Sequence, residues 1–256
     1  MTVMMESGTN QRGLASDVIA AIRCDLQNLS TPTTVAVREV RRRYTNVLGR
    51  ESPATILAVA DALFAGGSWP ERLIASELLV ARRDTIRLLN TASVERWGKG
   101  LADWGAVDMY GVTVAGVAWR ERRVSDGHVM KWARSSNRWL RRLALVSTAP
   151  LNSRARGGSL DADRTLRVCR TLVDDRDDMV VKALSWALRE LAKRDPTSVV
   201  RFIQEEDGRL AARVRREVRS KIETGRKAPR RNKAVGPNTA PHPPPPASLA
   251  GRSRRG

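Results

Sequence analysis

Phenylalanine and tyrosine are nearly missing from this chain, two of each in 256 residues, although it holds seven tryptophans. Cysteine and histidine are as scarce, again two of each. Cys24 and Cys169 both fall in apolar helical patterns, which excludes a disulfide-stapled scaffold and reads as two buried thiols in a reducing cytoplasm. His128 and His242 join no cluster with the cysteines, so neither a metal nor another cofactor is expected. No apolar stretch approaches membrane-spanning length. The opening MTVMMESGTNQRG lacks the basic stretch and apolar run of a signal peptide. A cytoplasmic protein without a membrane partner is therefore expected. Alternating strand patterns with hairpin turns are also missing, which argues against a sheet.

Acidic residues are the other deficit. There are 27 Asp and Glu against 46 Lys and Arg, a formal charge of +19. Eight of the basic residues lie between Gly225 and Gly256, where no acid occurs, and removing them still leaves +11 on the remainder. The body of the chain is basic in its own right, so a polyanion is the expected partner. Rich in proline, glycine and arginine, 225–256 has too little apolar area to offset ordering and is expected to be disordered.

Elsewhere Leu, Ala, Val and Ile recur at helical spacing, with Arg and Glu on the other faces. Start signals appear at Ser52-Pro53, at Ser159 before Leu160, and at Asp195-Pro196. Three segments share a Trp, an Arg three residues on and then an aliphatic run: WPERLIASELL (69–79), WLRRLALVST (139–148) and WALRELAK (186–193). Their starts are 70 and 47 residues apart, which implies that an intervening unit has diverged or that the spacing is irregular. The expected fold is all-α, a HEAT-like helical-repeat solenoid with a concave basic face. It occupies 13–224, between a flexible 1–12 and the tail; a compact helical bundle is the alternative.

Several tryptophans stand three or four residues from a charged partner: Trp69–Arg72, Trp104–Asp108, Trp119–Arg122, Trp139–Arg142 and Trp186–Arg189. Those offsets share a helix face. Indole faces attract cations and arginines bind phosphate, so such pairs suit a ligand that is both anionic and cationic. DNA carrying a positively charged base is one.

Four stretches then carry a resemblance: ADWGAVD (102–108), SSNRWLRRLALVST (135–148), MVVKALSWALRELAKRDP (179–196) and RVRREVRSKI (213–222). In order, spacing and identity they resemble the AlkD-type DNA glycosylases, helical-repeat enzymes that excise alkylated bases. The resemblance implies that Trp104 and Asp108 lie at the lesion, that Arg142 contacts the backbone near that Asp, and that Trp186 is a second indole with Arg189 on the DNA side. Lys182, Arg215 and Arg216 are further DNA-binding candidates, although the RVRRE run (213–217) also reads as a solvated face. The implied partner is double-stranded DNA carrying alkylated bases, and a monomer suffices.

The chemistry has its own logic. Alkylation at purine N3 or N7 makes the base a cationic leaving group, and breaking its bond moves positive charge onto the sugar. A carboxylate near the sugar stabilises that charge and positions water. Asp108 is the candidate, and no lysine beside it suggests lyase chemistry. Trp69, Trp97, Trp119, Trp132 and Trp139 are assigned to packing. Two other readings stay open: a noncatalytic relative binding plain or branched DNA through the same face, and a helical scaffold for protein partners.

Overall fold

Short polar residues set where the helices begin. The computed structural model describes residues 2–227, with side chains from residue 13 onward. Helix α1 (Thr2–Gln27) runs back through the segment expected to be a flexible leader. Thr33, Ser52 and Ser68 cap α2 (Thr34–Val47), α3 (Pro53–Gly66) and α4 (Trp69–Val80), each accepting from a backbone N–H three residues on. Two short helices follow, α5 (Arg83–Leu88) and α6 (Thr91–Gly98). Asp103 caps α7 (Trp104–Tyr110), which passes through a π-helical turn at Gly111–Ala115 into α8 (Gly116–Arg120). Then come α9 (Asp126–Ala133), α10 (Arg138–Val146), α11 (Ala149–Asn152) and α12 (Ala162–Thr171). The last three are α13 (Asp178–Leu191), α14 (Pro196–Glu205) and α15 (Ala212–Thr224). Among the described residues there is no strand.

Helices α2, α4, α7, α10, α13 and α15 pack each against the next in one layer. The other layer comprises α1, α3, α5, α6, α9, α12 and α14, with apolar side chains filling the space between. The chain is thus an all-α helical-repeat solenoid. From α4 on, the caps of the first layer fall at Ser68, Asp103, Asn137, Asp177 and Ala211, spacings of 35, 34, 40 and 34 residues. The 70-residue interval from Trp69 to Trp139 is therefore two units, the second of which begins at Trp104. The interval to Trp186 is irregular because that residue lies in the third turn of α13, not at its start. Ion pairs one unit apart tie neighbours together: Arg141–Asp175 at 2.7 Å and Arg213–Asp178 at 2.9 Å are two.

Some local expectations need correcting. Cys169 is buried, and burial pushes its thiol up to about 12, but Cys24 is exposed on α1. The cap of α12 is Asp161, not Ser159, because Leu160 is drawn into a positive-φ conformation as its N–H bonds the Leu151 carbonyl. The basic proline-rich tail, from 228 on, lies outside the described residues.

Candidate active site

The site starts from the first turn of α7. Asp103 accepts from the Ala106 N–H at 2.9 Å and fixes the entry of the chain. Trp104 is then the first helical residue and is 62% exposed, while Asp108 follows one turn later on the same face. Beyond them the helix departs from regular α geometry. A Cβ at Gly111 would lie 2.4 Å from Val146 Cγ2 and 3.2 Å from Leu143 Cδ1, so only glycine admits α10 this close. The π turn at Gly111–Ala115 sits at that contact, and such turns insert one residue into a helix. At this contact α10, and Arg142 with it, lies against α7.

Arg142 is 5% exposed and spends its donors inside the protein. Its Nε donates to one oxygen of Asp108 at 2.8 Å and a terminal nitrogen to the other at 2.6 Å. The remaining terminal nitrogen donates to the carbonyl of Met179, in the first turn of α13. One guanidinium therefore joins three successive helices of the layer. Burial raises the Asp108 carboxyl above its ordinary value; the hydrogen bonds and charge of Arg142 pull it back, and the charge of Asp103 adds to the rise. The result is a fixed carboxylate with a mostly covered back and an exposed indole one turn away. Such a group can stabilise positive charge developing at its open side, and an indole face can hold a cation beside it.

A search of protein-family models matches residues 27–222 to the DNA alkylation repair enzymes. The chain belongs to that family. No curated protein and no solved structure matched it. Membership gives the chain an enzymatic role in DNA repair, with DNA as its partner.

Within this family member, the residues singled out from sequence fare differently. Arg142, expected to reach the DNA backbone, is a buried brace under Asp108, because its charge is matched there. Trp186 is partly buried on the half-buried stripe of α13, seven residues and so two turns beyond Met179. Lys182 shares that stripe and pairs with Asp178 at 2.6 Å. Arg189 donates to Ser185 at 3.2 Å and faces Glu217 at 4.0 Å, so it is held in a polar contact between α13 and α15. Arg215 pairs with Asp207 at 3.0 Å, while Arg216 is exposed. Among the packing tryptophans, Trp97, Trp119 and Trp132 are buried and Trp139 partly so. Trp69 is not; it is 46% exposed. The signal that marks it is its 35-residue offset from Trp104, visible only once α7 is recognised as a unit. Among the described residues no group of three or more His, Cys, Asp or Glu is placed to hold a metal ion.

Proposed function

We propose that the chain is a monofunctional DNA glycosylase that excises positively charged alkylpurines, of the 3-methyladenine and 7-methylguanine types, from duplex DNA. The observation that carries this reading is the Asp108 carboxylate, clamped on both oxygens by a buried arginine beneath the exposed indole of Trp104. In the reaction the bond from the sugar C1′ to the base nitrogen breaks, and its electron pair leaves with the base, neutralising the alkyl cation. Water adds to C1′ and gives up a proton to solvent. Asp108 faces the positive charge that appears on the sugar between these events and orients the water. Trp104, and Trp186 on α13, offer π-faces to the cationic nucleotide, each interaction worth about 0.5–2 kcal/mol. Arg142 is a positioning residue, keeping the carboxylate ionised and aimed. All of these side chains come from one chain, so a monomer suffices.

The test is release of 7-methylguanine from methylated duplex under single-turnover conditions. Asp108→Asn is expected to lower the rate by about 10²–10³-fold while duplex binding persists. Equal rates for variant and wild type would overturn the assignment. Binding without any release by the wild-type protein would leave a DNA-binding relative in place of an enzyme.

A further inference from the structure

We propose that Trp69 is a further DNA-contacting indole, one repeat ahead of Trp104 on the same edge of the layer, and that it lengthens the grip on the duplex without taking part in the chemistry. This rests on the reading of Trp104 as a duplex contact. Trp69 and Trp104 are the first residues of α4 and α7, neighbours in the layer. They are the two tryptophans among the exposed large apolar side chains of the described residues, at 46% and 62% exposure. The buried indoles of Trp97 and Trp119 give their N–H groups to Asp61 and Asp126, at 2.6 and 2.7 Å. Neither Trp69 nor Trp104 has such a partner among the described residues, so each keeps both a face and a donor for something outside the protein. At the next unit the row is closed, because the guanidinium of Arg138 lies 4.9 Å from the ring of Trp139.

The two units differ where chemistry is concerned. Four residues after Trp104 stands Asp108; four residues after Trp69 stands Leu73, which is buried. The nearby acid of α4, Glu71, is consumed by its capping bonds with Ser68 and by Arg23 at 2.9 Å. The first unit therefore offers a stacking or sugar-packing surface with no carboxylate to act on the sugar. The basic charge of the chain fits a nucleic-acid strand as the occupant of both. Neighbouring helix axes lie about 8–10 Å apart, which along a duplex corresponds to roughly three base pairs.

The experiment measures affinity for unmodified duplexes by fluorescence anisotropy, using the full chain with Trp69→Ala and Trp69→Phe. The alanine variant is expected to bind about five- to tenfold more weakly, the phenylalanine variant to stay within about twofold of wild type, and single-turnover excision at saturating enzyme to be unchanged. Shortening one flank of the duplex by three base pairs is expected to weaken the wild type by a similar factor and the alanine variant no further, which loss of folding would not mimic. Wild-type affinity in Trp69→Ala, or equal sensitivity of both proteins to the trimmed flank, would overturn the proposal. So would a wild-type chain that binds no duplex. A chain that releases no methylated base but loses affinity in Trp69→Ala would refute the glycosylase reading alone.

Discussion

Tryptophan meets aspartate in two ways in this molecule. At Trp97 and Trp119 the indole is buried and its N–H is bonded to a carboxylate, so each residue satisfies the other. At Trp104 and Asp108 the two share a helix face without such a bond; the indole stands in solvent and an arginine braces the acid from behind. The acids respond differently. Burial would raise Asp61, but hydrogen bonds from Arg96 and Trp97 outweigh it and hold its carboxyl below the ordinary value. At Asp108 burial prevails and the carboxyl is raised. The same residue pair thus serves cohesion when the donors converge on the acid, and leaves a carboxylate open to a ligand when they are withheld from one side of it.

The contrast can be broken from either end. Asp108→Asn is the largest change expected in rate. Next comes Arg142→Ala, which strands a mostly buried carboxylate and is expected to cost about 3 kcal/mol in urea unfolding; a loss below about 1 kcal/mol would show that the pair is not a brace. Arg142→Gln sharpens the electrostatic half. Without the arginine's charge the Asp108 carboxyl rises further, and excision requires it ionised, so the fall in rate on acidification is expected at higher pH than in wild type. An unmoved acid limb would separate Asp108 from the rate. Gly111→Ala tests the approach of α10 to α7: the added methyl meets Val146, and about 1–3 kcal/mol of stability is expected to go, with a slower excision step. Thermal melting and base release that both match wild type would mean the helices do not need that approach. The smallest effect belongs to Asp61→Ala, which leaves the buried N–H of Trp97 unpaired, at about 1 kcal/mol, with excision unchanged.

Much of this was legible in the chain. Helical periodicity, caps such as Ser52-Pro53 and Asp195-Pro196, and the W-x-x-x-D spacing each depend on neighbours within a few residues, and the structure keeps them. That Arg142 lies near Asp108 was legible from the resemblance, but that it spends its donors inside the protein was not, because Asp108 and the Met179 carbonyl reach it from 34 and 37 residues away. The same holds for Trp69: local pattern gives an indole on an apolar helix, and only the stacking of units decides whether another helix covers it. The π turn left no periodic trace, since Gly111 and Gly116 read as ordinary small residues until Val146 and Ser147 are brought against them.

The bond from Arg142 to the first turn of α13 has a mechanical meaning. The guanidinium that pulls the raised Asp108 carboxyl back down is anchored at its far end to a different repeat, so spreading or flexing the stack changes how firmly it holds the acid. A duplex that bends the superhelix as it seats would thereby retune that carboxylate from a distance, without touching it.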